Sequence, residues 1–489
     1  MRQLLLIVFA CSFIFASAQS GIFWNTGADL AANSYSNMHP RIALDGSGNP
    51  LVIWGRMNDE SVWFSRWSGS TFTTPVKLNP TGVTVATASW MGPDIAAKGD
   101  TVYVVYRQTP EGMDTSKHIY ILSSFNGGMS FSSPVRIDHI GDSVTRFPTV
   151  TIDSNGNPIV AFMKFDNMFN NARWAVTRSS DHGSTFSNDH KASGWSGPSS
   201  TVCDCCPGVI VPSGNTSAIV YRDNLSNLRD MWSGISSDNA STFGRGFGVD
   251  NTNWSINFCP SSGPDAVIVG DSLYTVFMSG GSGAYRTYLS KTSISTGIQA
   301  YKVNLSDTTI PNLGQQNYPR IATDGKASAI VWKQNVGGNA QLPILFTNNV
   351  AKGFPASYDT VDLGDITNAD VAVANGKLFV VWQDDNSGTV KYRSGTFTPD
   401  TVAVLPNSIA DVKEKTFTVY PNPATDLLNI STPSNEIISI VIFNILGERV
   451  YSAESLINNQ VSTTSLSKGI YSIQLTTHER SYVSKFSKQ

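Results

Sequence analysis

A short apolar strand ending in an aromatic residue recurs seven times along this chain, and a repeat of that length leaves few folds open. It reads Leu51-Val52-Ile53-Trp54, Val104-Val105-Tyr106, Ile159-Val160-Ala161-Phe162, Ile219-Val220-Tyr221, Thr275-Val276-Phe277, Ile330-Val331-Trp332 and Val380-Val381-Trp382. Successive aromatics lie 50 to 59 residues apart, enough chain for one four-stranded antiparallel unit. Their strict phase within apolar strands assigns them to packing between units, not to stacking on a ligand. A second short strand precedes each motif and turns back, as in His39-Pro40-Arg41-Ile42-Ala43-Leu44-Asp45-Gly46 and Tyr318-Pro319-Arg320-Ile321-Ala322-Thr323-Asp324-Gly325. Asp45 to Asn49 and Asp153 to Asn157 carry the Asp, Gly and Asn of hairpin turns.

The period predicts an all-β chain: a seven-bladed β-propeller, with six blades as the alternative, followed by a small C-terminal β-sandwich. The seventh repeat is short, and Gly21-Ile22-Phe23-Trp24-Asn25-Thr26-Gly27 is expected to supply its outer strand and close the ring. Composition agrees. Charged residues are 15% of the chain, while 40 Gly, 24 Phe, 16 Tyr and 11 Trp suit pleated faces and tight turns. A net charge of −3 excludes a general attraction to nucleic acid.

The two ends are expected to direct export. Met1, Arg2 and Gln3 precede an apolar run from Leu4 to Phe15 and then Ala16-Ser17-Ala18, the order of a cleavable signal peptide over 1–18. The run is too short to span a bilayer, and no later segment is long and apolar enough for a transmembrane helix. Domains are expected at 19–398 for the propeller, 399–415 for a linker and 416–489 for a terminal domain. That last segment resembles the type IX secretion sorting domain through Tyr420-Pro421-Asn422-Pro423-Ala424, Leu428-Asn429-Ile430, Val441-Ile442-Phe443-Asn444-Ile445-Leu446-Gly447, Lys468-Gly469-Ile470-Tyr471 and Lys485-Phe486. The resemblance implies passage to the outer-membrane surface or the medium, with the secretion machinery as a partner.

A second resemblance concerns the repeats. Ser179-x-Asp181-x-Gly183-x-Thr185-Phe186 matches the Asp box of the bacterial neuraminidase repeats. Ser124-x-Asn126-x-Gly128, Ser236-x-Asp238-x-Ala240 and Ser65-x-Trp67-x-Gly69 follow it in phase with substitutions. The chain therefore resembles sialidase-like propellers, in which this box is a structural hairpin remote from the active site. A third group, Cys203-Asp204-Cys205-Cys206-Pro207 with Tyr221-Arg222-Asp223, Leu228-Arg229-Asp230 and Trp254 to Pro260, looks like a signature of such propellers to which no activity is attached.

Chemistry is expected on the face opposite the Asp boxes. Arg41, Arg56, Arg107, Arg222, Arg229, Arg320, Lys164 and Lys333 fall near the strands' ends there, where guanidinium groups would grip a carboxylate or sulfate in two-pronged fashion. The competing assignment pairs Arg41 and Arg320 with local acids such as Asp223 and Asp230. Retaining sialidase chemistry needs an activated Tyr nucleophile and its Glu; Glu60 and Glu111 are the only glutamates before the linker. Asp94, Asp223 and Asp230 remain as acids. Cys203, Cys205, Cys206 and Cys259 read first as two disulfides in an oxidising exterior and second as a soft-metal site, with no other cofactor implied. The functional expectation is a secreted or surface propeller that binds an anionic or complex extracellular glycan or glycoprotein. A glycosidase or lyase, and a surface adhesion module, are the alternatives.

Overall fold

The computed structural model describes residues 21–31, 36–110, 117–139, 144–307, 309–400, 418–431, 439–444, 448–454, 456, 458–476 and 481–489. The signal segment 1–18, Glu111, residues 401–415 of the linker and Ile445-Leu446-Gly447 of the sorting motif lie outside them. The chain divides into two compact units, with the break at 405/406. Two single turns of 3-10 helix, Met57–Asp59 and Val350–Lys352, are the helical elements among the described residues, and no helix there is long and apolar enough to cross a membrane.

The first unit holds seven antiparallel sheets of four or five strands. The first sheet runs Asn37–Leu44, Pro50–Arg56, Ser61–Arg66 and Val76–Lys77, each strand paired with the next in sequence. The next five repeat this order, the fourth sheet adding a short extra strand, Thr201–Val202, that pairs with Thr216–Asn224. The seventh runs Ile366–Ala374, Lys377–Asp384 and Thr389–Phe397, and its outer edge is completed from the chain's beginning. Ile22, Phe23 and Trp24 stand opposite Phe397, Thr396 and Gly395. The first strand of each sheet packs against that of the next, and that of the seventh, Ile366–Ala374, packs against Asn37–Leu44.

The seven repeat aromatics, Trp54, Tyr106, Phe162, Tyr221, Phe277, Trp332 and Trp382, are each 2% exposed or less. Each sits in the second strand of its sheet. Several lie in apolar clusters that bridge neighbouring sheets: Trp54, Ile42 and Val52 meet Ala372, Val381 and Val390. Removing a side chain of this size from water stabilises by roughly 1.5–3 kcal/mol, so seven such positions in register make the phase of the repeat the phase of the core.

The turns between third and fourth strands are held by side-chain hydrogen bonds. Ser179 Oγ accepts from Gly183 N (2.8 Å), while Asp181 accepts from Thr185 N (2.9 Å) and Thr185 Oγ1 (2.6 Å). These donors hold the Asp181 carboxyl down at about 2, the Thr185 hydroxyl contributing most. Phe186 packs behind the turn among Val160 and Phe162. Ser236, Asp238 and Thr242 reproduce the pattern, with Ala240 at φ 59° where Gly183 has φ 86°. Asn126 accepts from Ser130 N (3.0 Å), and Ser124 Oγ from Gly128 N (3.0 Å). The turn after Ser65 differs: with Trp67 in place of the acid, Ser65 Oγ donates to Thr73 O (2.6 Å) and Ser68 N to Thr71 O (2.8 Å).

In the second unit, Thr418–Tyr420, Leu427–Ser431 and Gln460–Ser462 form one sheet, and Ser439–Phe443, Arg449–Ala453, Gly469–Thr476 and Ser481–Lys488 another. One apolar cluster joins Leu428, Ile430 and Val461 of the first with Ile440, Ile442, Ile473 and Leu475 of the second.

Candidate functional site: a pocket where the first strands begin

The segments that lead into the seven first strands line one pocket, and a repeated backbone irregularity shapes it. In four sheets the pairing of first and second strand slips, between Met38 and Arg41, Arg146 and Thr149, Asn317 and Arg320, and Thr367 and Asp370. Within each slip one residue takes a left-handed conformation: His39 (φ 56°), Phe147 (φ 49°), Tyr318 (φ 51°) and Asn368 (φ 48°). Such a bulge re-aims a side chain, and left-handed backbone in a bulky residue costs about 1–3 kcal/mol. All four residues line the pocket. The remaining sheets reach it through Gly92 to Asp94, Pro207-Gly208, and Ser261 with Gly263 and Pro264. A Cβ on Gly92 would stand 2.8 Å from the His39 ring, so glycine there is what lets the second sheet's segment lie against the first's.

Arg41 and Arg320 enter this pocket and differ in their partners. Arg320 Nε lies 3.0 Å from Asp370 Oδ1 and 3.3 Å from Asp265 Oδ2. Burial opposes its charge, but these two carboxylates raise its pKa above the ordinary value. Asp265 is pushed up to about 6 by burial, against the pull of Arg320. Arg41 has no carboxylate within 4 Å among the described residues; its Nη1 donates to Pro40 O (2.8 Å) and its Nη2 to His39 Nε2 (2.6 Å). Burial, then the like charge of Arg320, bring Arg41 down to about 10, so it remains a cation at neutral pH. Burial and the two arginines hold His39 well below its usual range, so its ring is neutral and Nε2 accepts.

Asp94 Oδ2 accepts from Thr149 Oγ1 (2.8 Å) and Val150 N (3.0 Å), Asp265 Oδ2 from Ile321 N (2.8 Å), and Asp370 Oδ2 from Ile42 N (3.0 Å). Each of these acids lies in the first strand of its sheet and ties it to the next sheet in the series. The pocket's acids therefore serve as clasps between sheets.

Most other predicted basic residues lie elsewhere. Arg107 is 1% exposed and donates to the backbone carbonyls of Thr145, Gln108 and Pro110. Arg222, also 1% exposed, donates to Ser262 O, Met278 O (2.7 Å) and Arg229 O (2.9 Å) and lies over Trp254. Both fasten strand ends across a sheet boundary, because bulged and looping backbone leaves carbonyls that a buried guanidinium can satisfy. Arg56 stacks 3.8 Å over the Trp63 ring, Lys164 pairs with Asp189 (2.9 Å), and Lys333 donates to Thr367 Oγ1 (2.9 Å). Asp223 and Asp230 do not pair with Arg41 or Arg320. Asp223 is pushed up to about 6 by burial and bonded to Ser196 Oγ. Asp230 is raised by burial, then by Asp250, and accepts from Asn253 N and Trp254 N, both at 3.0 Å. Arg229 turns to the cysteines, with Nη1 3.0 Å from Cys203 Sγ.

No two of the four cysteines are bonded: Cys203 Sγ is 3.2 Å from Cys206 Sγ and 3.5 Å from Cys205 Sγ, and Cys205 and Cys206 are 4.0 Å apart. Sequence reasoning passed over Trp90, 38% exposed on the pocket wall, and Tyr318, Phe147 and His39. The one available signal was the aromatic-proline pair repeated as His39-Pro40, Phe147-Pro148 and Tyr318-Pro319.

Residues 418–489 match a family described as the secretion system C-terminal sorting domain, over the segment that carries the sorting motifs. No curated protein sequence matches the chain. Among solved structures it is similar to a protein of unknown function from Dyadobacter fermentans, at 13% identity, over 66% of this chain and 97% of that one, with a TM-score of 0.46. An ulvan lyase, described as a polysaccharide lyase, aligns at 11% identity over 76% of this chain and 94% of its own, with a TM-score of 0.49. A mutant NanB sialidase from Streptococcus pneumoniae aligns at 13% identity over 76% and 70%, with a TM-score of 0.40.

Proposed function

We propose that the chain is an exported seven-bladed β-propeller that binds an anionic glycan, through a carboxylate or sulfate, in the pocket where its first strands begin. The blades would occupy 19–398, closed by the strand Ile22–Trp24. A linker over 399–415 would lead to a β-sandwich at 416–489 that engages the type IX secretion machinery, after removal of a signal peptide at 1–18. Seven sheets in chain order, the return of the seventh onto the first and Asp-box turns in phase support this architecture.

One observation carries the ligand class: in a pocket whose other arginine is paired with two carboxylates, Arg41 is a half-buried cation with no carboxylate within 4 Å among the described residues. A guanidinium drawn partly out of water favours an anion that accepts two parallel N–H groups. The half-exposed indole of Trp90 on the same wall offers a sugar ring an apolar face. Binding is favoured over hydrolysis because Asp94, Asp265 and Asp370 are each already engaged by backbone N–H groups.

The test is binding of the secreted protein to an array of uronic-acid, sialylated and sulfated oligosaccharides, repeated with Arg41→Ala and with folding checked by thermal unfolding. Loss of a charge-assisted bond of about 1.5–3 kcal/mol predicts roughly 10- to 150-fold weaker binding. Absence of any glycan signal from the wild-type chain would leave the adhesion alternative. Release of new sugar ends would move the assignment to a glycosidase or lyase.

A further inference from the structure

We propose that Cys203, Cys205 and Cys206 hold a soft thiophilic cation, zinc or copper(I), with Cys259 as the fourth ligand, and that this ion braces two walls of the pocket. The turn that follows strand Thr201–Val202 is folded so that its three sulfurs converge at 3.2, 3.5 and 4.0 Å from one another. Its closure is secured by backbone, Cys203 N to Arg222 O (3.0 Å) and Cys206 N to Cys203 O (3.2 Å), and by Arg146 Nη1 on Asp204 O (2.9 Å). Sulfurs around a tetrahedral ion with bonds of about 2.3 Å lie roughly 3.8 Å apart, so a cation fits once the Cys203–Cys206 pair opens by about 0.6 Å and the other two pairs shift by a few tenths. Cys259, from the segment ahead of the fifth sheet, brings its sulfur within 4.8 Å of Cys205 Sγ.

An independent observation favours thiolates over disulfides. Arg229 is 7% exposed, its Nη1 donates to Cys203 Sγ at 3.0 Å, and its Nε has no partner. A guanidinium out of water requires an anionic neighbour; a metal-bound thiolate provides one and a disulfide sulfur does not. Arg222 in turn donates to Arg229 O (2.9 Å). Sulfur-rich coordination selects thiophilic ions over calcium or magnesium. As each sulfur–metal bond forms, the thiol releases its proton to solvent, with no change of oxidation state.

The position gives the ion a task. Cys206 runs directly into Pro207 and Gly208, and Cys259 lies two residues before Ser261; Pro207, Gly208 and Ser261 line the pocket. The two segments touch, since a Cβ on Gly263 would stand 2.2 Å from Pro207 O.

The experiment measures metal content and free thiols of the full secreted chain purified without chelator or reductant, then repeats the metal measurement after reduction and addition of zinc, copper(I) or cobalt(II). The expected result is one equivalent of zinc or copper retained, thiols that react only after unfolding and chelation, and intense sulfur-to-cobalt charge-transfer absorption. Cys205→Ser should lose the ion, and Cys259→Ser should weaken its binding by tenfold or more. An intact mass showing two disulfides in metal-free protein would overturn the proposal. So would a reduced wild-type chain, shown folded by its thermal transition, that takes up none of the three ions.

Discussion

Individual side chains in this protein are set by which hydrogen bonds the backbone around them has left unmade. Arg107 and Arg222 resemble ligand-binding arginines in their position after a strand, yet their donors close carbonyls between sheets, whereas Arg41 faces the pocket with no carboxylate within 4 Å among the described residues. The same logic fixes the turn acids. Asp181 accepts from Thr185 twice and is held at about 2. A carboxyl whose folded pKa lies below its unfolded value of about 3.9 contributes stability that is present above that value and lost as pH falls toward the folded one. Asp181→Asn should therefore lower the unfolding temperature at pH 6 and lose less than the wild type between pH 4 and pH 2, as followed by thermal unfolding across that range. Equal losses in the two proteins would show that this carboxylate is not linked to folding.

Among the elements, the strand Ile22–Trp24 has the largest consequence for its size. It covers the edge of Thr389–Phe397, which would otherwise expose a row of unpaired N–H and C=O groups. Ile22, 5% exposed, packs with Phe397, Val380 and Leu378. Ile22→Ala should cost about 2–4 kcal/mol by loss of burial and the cavity left behind, read as a lower urea midpoint at unchanged slope. A wild-type midpoint would mean the strand is dispensable for the stability of its sheet. The phase of the seven aromatics was legible in the sequence because a buried side chain in a strand has to recur with its sheet. The four bulges were not: a positive φ in His39, Phe147 or Tyr318 is imposed by packing, and only the following proline marks three of the sites.

At the scale of the whole first unit, the clasping acids couple sheets that the sequence keeps far apart. Asp370 accepts from Ile42 N and from Arg320 Nε, so the seventh sheet is tied to both the first and the sixth. Asp370→Ala leaves the Ile42 amide without its acceptor and Arg320 with Asp265 as its one remaining carboxylate, and a loss of about 1–3 kcal/mol is expected in denaturant unfolding. Asp370→Asn, which keeps an acceptor for Ile42 N, should lose distinctly less. Equal losses would mean that the charge, and not the backbone bond, holds the seventh sheet to its neighbours.

The sequence by itself determined the period, the identity of the packing aromatics, the turns and the sorting segment, because each rests on residues close together in the chain or repeated at a fixed interval. Tertiary structure alone decided which charges are free. Whether an arginine meets a ligand, a carbonyl or a carboxylate depends on neighbours such as Arg320 and Asp265, 55 positions apart in the numbering, and on a backbone bent by bulges that a following proline marks at three sites and nothing local marks at the fourth. The same holds for the cysteines: their spacing marks a cluster, but only the fold places the buried Arg229 guanidinium against Cys203.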